Sequence, residues 1–321
     1  MKNWKKNSWR KYPVKHIPKY PIKKELDTVL DKIGTFPPLV FAGETRHLKV
    51  QLADVVDGKA KFGADIKLDG MLYATLRRCP WVGGGLAKKP EIQSIPGYVG
   101  YEVIEPPVGA PVFSPLGSLA LLAEDTYTSM QVAQSADIEW TNSPNKNFDS
   151  EEFTFALKEA VQKEGKSLFD HGNIQVAFDG SGKEIEAVYE TPFLSHAPME
   201  PPVAVASVSD DFCEVWAPVQ DPQSCRDLVA GYLGYSVDRI RINVTMLGGA
   251  FGRKSKPDFV LEAVELSKRR KTPVRVQWTR EDDIKHDYYH AASAQYHKAI
   301  LSEDGMPDGW LQRTAFPSIT G

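Results

Sequence analysis

Apolar and polar positions alternate along much of the chain that follows residue 45. Alternation with a period of two residues is typical of half-buried strands, and a continuous apolar run of four to eight residues is consistent with a fully buried one. A helical pattern covers residues 124–136, with Asp125 as its predicted N-cap. Strands interleaved with one helix predict a small α+β domain over residues 46–143. Its predicted strands are residues 58–66, 70–78, 118–123 and 137–140.

The second half of the chain predicts another α+β unit, residues 168–321, joined to the first by residues 144–167. This linker is polar, contains Pro144, and ends in a helix predicted over residues 151–164 with Ser150 as its cap. Two further helices are predicted after Asp221-Pro222, where Gly234 ends the first, and after Pro257. The predicted strands are residues 184–193, 203–209, 212–218, 239–247 and 273–279, with a hairpin around Asp304-Gly305.

Composition narrows the class of protein only slightly. The 321 residues carry a net charge of −3 and are 42% hydrophobic, so charge gives no reason to expect nucleic acid as a partner. Residues 1–45 form a basic N-terminal arm, with nine Lys and Arg and no acid in its first 24 residues. The arm is interpreted as solvated or as lying on a partner. No apolar run of about 18 residues exists, so no transmembrane segment is expected.

Cysteine usage and the basic arm suggest a compartment. Cys79, Cys213 and Cys225 are far apart and form no C-x-x-C pair, so an iron–sulfur cluster or zinc ribbon on this chain is not expected. Reduced, buried thiols are predicted instead. The charges of the arm are not followed by the apolar stretch of a secretory signal. The expected compartment is the cytoplasm, or the periplasm if a partner bearing a signal carries the chain out.

The segment LGGAFGRKS, residues 247–255, joins a predicted strand to a predicted helix, a position that favours anions. A Walker A loop needs four residues between its glycines and then Lys. Only three residues separate Gly248 from Gly252, and Arg253 precedes Lys254. No glycine pair has the first spacing of G-x-G-x-x-G either. Two readings stay open: a tight turn, or a loop whose backbone approaches a ligand while the ring of Phe251 flanks it.

Three histidines offer other chemistry. His196 lies near Glu200, and a histidine beside a carboxylate can do acid–base work, although a structural role is favoured for this segment and for Met199. His286 and His290 have the i, i+4 spacing of metal ligands on a helix, but no third ligand is evident. A metal bound directly to protein is therefore not expected. Residues 280–283 are interpreted as a capping and ion-pair cluster.

Four segments carry a family resemblance. They are DGKAKFGADIKLDGMLYATLRRCPWVGG, HAPMEPP, VWAPVQDPQ and LGGAFGRKSKPDF. Together, and in this order, they closely resemble the molybdenum-binding large subunit of the xanthine dehydrogenase and aldehyde oxidase family, nearest its isoquinoline 1-oxidoreductase beta-subunit type. The resemblance covers roughly residues 45–321. It implies a small a/b hammerhead domain at residues 46–143, followed by the first part of a molybdopterin-binding domain at residues 168–321.

The resemblance also implies site residues. Gln220 is similar to the glutamine that lies near an oxo ligand of molybdenum in the family, and its neutral amide donor suits that position. Phe251 and Gly252 inherit contact with the same metal group, and the flanking loop residues share the cofactor site. These flanking residues are Gly248, Gly249, Ala250 and Arg253. Two departures stand out: Val219 replaces the usual threonine, and residues 55–58 stand where a lysine is usual.

The implied function is part of a molybdenum hydroxylase, which oxidises an aldehyde or N-heterocycle with water as oxygen donor. The implied cofactor is a molybdopterin in its cytosine dinucleotide form, with 2Fe–2S clusters on a small partner subunit. The family's catalytic glutamate is expected outside this sequence. The chain is therefore predicted to need a complementary chain and to be inactive alone. A truncated inactive fragment or assembly module is the alternative, and an unrelated α+β binding protein is the third hypothesis.

Overall fold

The computed structural model describes residues 52–106 and 115–318, and the chain divides into two compact units, residues 1–59 and 60–321. In the first unit, the described residues form one short helix, α1 (Leu52–Val56). The predicted basic arm lies outside the described residues. All that follows concerns the second unit.

The second unit mixes helices and strands along its whole length, which confirms the predicted α+β class. Its strands are β1 (Leu72–Arg77), β2 (Tyr98–Ile104), β3 (Ser118–Ala123), β4 (Lys183–Thr191), β5 (Val203–Val208), β6 (Cys213–Ala217), β7 (Ile240–Val244), β8 (Val274–Gln277), β9 (Ser293–Leu301) and β10 (Pro307–Ala315). Its helices are α2 (Thr126–Ser135), α3 (Ser150–Gln162), α4 (Ile174–Phe178), α5 (Pro222–Leu233), α6 (Asp258–Arg270) and α7 (Arg280–Lys285).

Seven strands form one sheet, in the order β2-β3-β1-β8-β5-β6-β7. The pairs β1–β8 and β6–β7 are parallel and the other neighbours are antiparallel. The β1–β8 pair joins the two predicted domains through one register, Leu72 opposite Val274 and Ala74 opposite Val276. The sheet is therefore continuous across the predicted linker, and the division at residues 143 and 168 stays a prediction from sequence.

Helix α6 packs on the middle of this sheet, against β5 and β8. Phe259, Val260 and Val264 are 0% exposed and belong to the same cluster as the apolar residues of both strands. All six residues of β3 are buried, as its unbroken apolar run predicts. The main core therefore lies between α6 and the strands that carry the predicted binding segments.

Three strands form a second, antiparallel sheet in the order β10-β9-β4. Leu157 and Val161 of α3 cover one face by packing with Ala294 and Tyr296 of β9. Gly305, with φ +81°, forms the turn of the predicted hairpin. Strand β4 lies at an edge and only one of its nine residues is even partly buried.

Several predicted signals at element ends are confirmed. Asp125 caps α2 by accepting a hydrogen bond from the Thr128 N–H. Asp221 caps α5 with Pro222 at its first position, and Gly234 ends it in the left-handed conformation. These residues act on neighbours within four positions in the chain, so a local pattern suffices to find them.

Three predictions of local structure are wrong. Residues 58–66 form no strand, because residues 63–65 turn as a short 3-10 helix and Phe62 pairs only with Met246. Residues 137–140 make only isolated bridges, to Glu91 and Leu86. Helix α3 is capped by Asp149 rather than Ser150, since the Asp149 carboxylate accepts the N–H groups of residues 151 and 152.

Candidate functional site

The glycine segment, residues 247–255, leaves β7 and leads through a 3-10 turn at Arg253–Ser255 into α6. Gly249 and Gly252 take φ values of +93° and +102°, which only glycine adopts readily. Phe251 takes φ +54°, a left-handed conformation that is unfavourable for a bulky residue, and its side chain is 68% exposed. The backbone is thus held in an unfavourable shape that leaves an aromatic ring uncovered.

The segment at residues 194–200 lies against this loop. Its Ala197 also has a positive φ, +40°, so two of the three such non-glycine residues in the described ranges lie here. A Cβ added to Gly249 would sit 3.4 Å from Pro198 and from the Met199 nitrogen. Strained backbone concentrates where the surrounding structure enforces it, and such places cluster at functional sites.

Glu200 holds the loop at its start. Its Oε1 accepts the Gly63 N–H at 3.0 Å, and its Oε2 accepts the Gly248 N–H at 3.2 Å. The same Oε2 lies 2.8 Å from Nζ of Lys254, whose side chain is 0% exposed. Burial lowers the pKa of Lys254, and the hydrogen bond and charge of Glu200 oppose that shift. This agrees with the structural role favoured for Glu200.

Arg253 holds the loop from behind. Its guanidinium makes two hydrogen bonds to Asp258, at 2.8 and 2.9 Å, and its Nε lies 2.9 Å from Oδ1 of Asp287. The side chain is 0% exposed and lies over the rings of Trp278 and Tyr288. The predicted cofactor contact of Arg253 stays a prediction, but its charged group points into the protein.

A second buried ion pair also lies beside Trp278. Arg78 is 2.5 Å from Glu262 and stacks 3.9 Å above the Trp278 ring, whose Nε1 donates to Glu262. Burial raises the pKa of Glu262 and the charge of Arg78 opposes it. The sequence analysis missed this layer. Its local signal is Glu262, a charged residue within the otherwise apolar run of residues 259–264.

Gln220 sits directly beside the loop. Its backbone N–H donates to the Lys254 carbonyl at 3.0 Å, and its side-chain Oε1 accepts the Gly252 N–H at 3.1 Å. Since the oxygen faces Gly252, the amino group at Nε2 points the other way. None of the hydrogen bonds among the described residues uses that amino group. The structure thus brings Gln220, Gly252 and Phe251 together, as the resemblance implies.

The histidines fall into two separate places. His286 ends α7, while His290 lies beyond it and pairs its backbone with Leu194, so the two do not share one helix face. Burial, with the charges of Arg78 and Lys285, lowers the pKa of His286 to about 3. No group of three potential metal ligands occurs within residues 52–106 and 115–318. The i, i+4 metal hypothesis therefore finds no support here.

Two of the cavities of the second unit lie away from the glycine segment. One of about 430 Å³ is lined by residues that include Arg78 and His286. Another, about 480 Å³, lies between α5 and β7 and includes Arg226 and Arg241. Neither of these two is lined by the glycine segment, whose Phe251 is exposed at the surface.

Comparison with known proteins gives this geometry a class. Residues 158–309 match the family of molybdopterin cofactor-binding domains. The chain is 26% identical over 280 residues to the isoquinoline 1-oxidoreductase subunit beta of Brevundimonas diminuta, covering 80% of this chain and 34% of that protein. It is 26% identical over 275 residues to the xanthine dehydrogenase molybdenum-binding subunit of Escherichia coli O157:H7, covering 73% and 36%.

The fold comparison agrees. Quinoline 2-oxidoreductase from Pseudomonas putida 86 superposes with a TM-score of 0.63 at 18% identity, over 84% of this chain and 39% of that one. The chain is thus similar in sequence and in fold to molybdenum-binding subunits of this kind, and this similarity confirms the resemblance. It spans about a third of the length of the curated relatives named here.

Two further findings do not concern the candidate site. A match to the class-II DAHP synthetase family covers residues 4–62, most of which lie outside the described residues. Among the described residues, no helix is both long and apolar enough to cross a membrane.

Proposed function

We propose that this chain forms one side of a molybdenum cofactor site in a hydroxylase that oxidises an aldehyde or an N-heterocycle. The orientation of Gln220 carries the proposal, because the Gly252 N–H fixes its side-chain oxygen and leaves the amino group as a donor on the open side of the loop. A neutral donor can bind a metal-held oxygen without adding charge, which is the role that the resemblance assigns to this glutamine.

The loop around Gln220 fits an oxygen-rich, anionic group. The backbone N–H groups of Gly249, Ala250 and Phe251 donate no hydrogen bond within the described residues, and they lie on a partly exposed segment before a helix. Donors of this kind bind anions such as phosphate. The ring of Phe251 flanks them. Gly248 contributes through its backbone contacts with Glu200, which fix where the loop begins.

When bound, the cofactor supplies the oxidation itself, with water as the oxygen donor. The residues of this chain supply orientation. Gln220 donates a hydrogen bond from Nε2, Phe251 excludes water from one side, and the buried charges of Arg253 and Lys254 keep the loop in place. The cytosine dinucleotide form of the cofactor is part of the proposal.

A complementary chain completes the site and brings the catalytic glutamate, and a small 2Fe–2S subunit removes the electrons. Two observations support this. The ring of Phe251 in the glycine segment is exposed, and the second sheet leaves large apolar side chains uncovered. On β4 and β10 these are Ile185, Val188, Tyr189 and Trp310, which are 45%, 40%, 61% and 58% exposed. Exposed apolar patches of this kind mark protein interfaces.

The test is purification of the tagged chain from its source cell, followed by measurement of molybdenum, pterin and associated proteins. Molybdenum and a partner carrying the remaining domain are expected to co-purify. Gln220→Ala should lower both metal content and turnover. Gln223→Ala is the matched control, because this nearby exposed glutamine bonds only to Asp227 on its own helix.

Each contrary result has a distinct meaning. Absence of molybdenum from the wild-type complex would overturn the proposal. Stoichiometric cofactor and aldehyde oxidation by the isolated chain would overturn the need for a partner. Cofactor without turnover in the full complex would favour an inactive fragment or assembly module. Fractionation of the source cell tests the proposed cytoplasmic location.

A further inference from the structure

Asp287 is a buried carboxylate that joins both segments of the site. Its side chain is 0% exposed. Its Oδ2 accepts hydrogen bonds from the Ser195 hydroxyl at 3.0 Å, the His196 backbone N–H at 2.6 Å and Nδ1 of the His196 ring at 2.9 Å. Its Oδ1 pairs with Arg253 of the glycine segment. One residue therefore fixes the position of His196 relative to the loop.

The bond from Nδ1 decides the tautomer of the His196 ring. A carboxylate accepts hydrogen bonds and does not donate them, so Nδ1 must carry the proton. In the neutral ring the other nitrogen, Nε2, is then an acceptor with a free lone pair. No hydrogen bond among the described residues uses Nε2, and the ring is nearly buried, with 10% of its side chain exposed. Because the bond to Asp287 fixes the ring of His196, the direction of Nε2 is fixed as well.

That atom faces the glycine segment. A Cβ built on Gly252 would lie 3.7 Å from Nε2 of His196, closer than to any other group. Gly252 has no side chain to fill this space, and its own N–H is taken by Gln220. Gly252 is thus bordered by a free donor on Gln220 and a free acceptor on His196.

We propose that His196 accepts, at Nε2, a hydrogen bond from the group bound beside Gly252, and that Asp287 is its positioning residue. The group it recognises carries an O–H or N–H donor, either on the cofactor or on the substrate or water next to it. This proposal rests on the proposed function, because that function supplies the ligand. It assigns a ligand contact to a segment for which the sequence favours a structural role.

Two substitutions of His196 separate the ligand contact from the structural one. His196→Asn places an amide near Nδ1, which preserves the bond to Asp287 and removes Nε2. His196→Gln reaches the position of Nε2 and loses the geometry of Nδ1. His290→Asn is the matched control, because the His290 ring lies 4.2 Å from that of His196 without sharing its hydrogen bonds.

The measurements use the purified complex and, for tautomers, the full chain labelled with 15N-histidine. His196→Asn is expected to lose at least about tenfold in cofactor content or in kcat/KM, with an unchanged unfolding midpoint, and His196→Gln should recover part of the loss. A fall in cofactor content places the donor on the cofactor. Retained cofactor with a changed KM or kcat places it on the substrate or water. His290→Asn should change none of these.

The role of Asp287 is read from the ring itself. The wild-type His196 signal is expected to show the proton on Nδ1, and Asp287→Asn should shift that signal toward the other tautomer. A wild-type ring protonated on Nε2, or His196→Asn equal to wild type in cofactor and turnover, would overturn the proposal. A wild-type complex without molybdenum would instead reject the proposed function, and this inference with it.

Discussion

Two loops in this chain are rich in glycine, and they differ in the kind of contact that anchors them. The loop at residues 80–90 is held by neutral contacts at the surface, such as Trp81 Nε1 donating to the Thr141 carbonyl and the Ser143 hydroxyl donating to the Val82 carbonyl. The ion pair between Lys88 of this loop and Glu139 is exposed. The glycine segment at residues 247–255 is instead held by ion pairs that exclude water.

The difference shows what makes a glycine-rich loop a candidate site. Glycine permits unusual backbone shapes in both loops, but it does not select one shape. Selection in the second loop comes from Glu200, Asp258 and Asp287, whose carboxylates reach its backbone and its two cations. Removing one partner of a buried pair leaves an uncompensated charge, so breaking one of these contacts costs far more than breaking a surface pair.

The largest expected effect comes from Arg253→Met, which leaves the carboxylates of Asp258 and Asp287 without their cation. Loss of a buried partner costs about 3–5 kcal/mol, so the free energy of unfolding in urea should fall by that amount. Arg239→Met is the control, since Arg239 also has two carboxylates nearby but is 55% exposed. A loss from Arg253→Met no larger than in the control would show that burial adds nothing to the cost of removing this cation.

A somewhat smaller loss is expected for Glu200→Gln. The glutamine keeps the shape but leaves Lys254 buried without its anion, at a cost of about 3 kcal/mol. Adding Lys254→Met should recover much of the loss, because the double variant has no unpaired charge. The same change at Glu139, the exposed partner of Lys88 in the first loop, should leave stability unchanged. Hydrogen exchange at the Gly248 amide gives a local readout, and an unaltered rate in Glu200→Gln would contradict the anchoring role.

Gly252→Ala is expected to cost about 1–2 kcal/mol, because alanine adopts its φ of +102° only with strain. Gly305→Ala in the β9–β10 hairpin supplies a matched strain, at φ +81° with open space around it. Both variants should lose similar stability by thermal unfolding. Only Gly252→Ala should also lower the molybdenum content of the complex. Equal molybdenum content in both variants would show that the glycine segment takes no part in cofactor binding.

The smallest effect concerns pH and tests the charge layer behind the loop. Burial lowers the pKa of His286 to about 3 in the folded chain, against about 6.5 for a histidine in the unfolded chain. As the pH falls below 6.5 the unfolded chain takes up the proton first, so stability is lost between pH 6.5 and 3. His286→Asn should remove this loss, about 1 kcal/mol at pH 6. His171→Asn is the control, because His171 is exposed. If the stability of both variants depends on pH in the same way, burial does not lower the pKa of His286.

The sequence predicts those parts of the fold that local residues decide. Asp125, Pro222 and Gly234 mark helix ends through contacts within a few positions, and the run at 118–123 marks a buried strand. The alternation at 58–66 wrongly predicts a strand, because the Gly63 N–H donates a hydrogen bond to Glu200, 137 residues away. The continuity of the seven-stranded sheet depends on the pairing of Leu72 with Val274, which no local pattern encodes.

The candidate site divides in the same way. Gln220 and Phe251 stand in motifs that a family resemblance detects, and the structure places them beside Gly252. The carboxylates that anchor the glycine segment could not be identified from the sequence. Asp287 pairs with Arg253 across 34 positions, and Glu200 pairs with Lys254 across 54 positions. Carboxylates are common on surfaces, and nothing in the chain marks these two as buried.

Burial of Arg253 and Lys254 also determines how a protease meets this protein. Trypsin cuts after basic residues, and in an unfolded chain this adjacent pair would be an ordinary target. Both side chains are 0% exposed in the fold, whereas Lys88 and Lys89 in the first loop are open to solvent. Cleavage in the middle of the glycine segment therefore requires the segment to open first, and its rate reports how often it does.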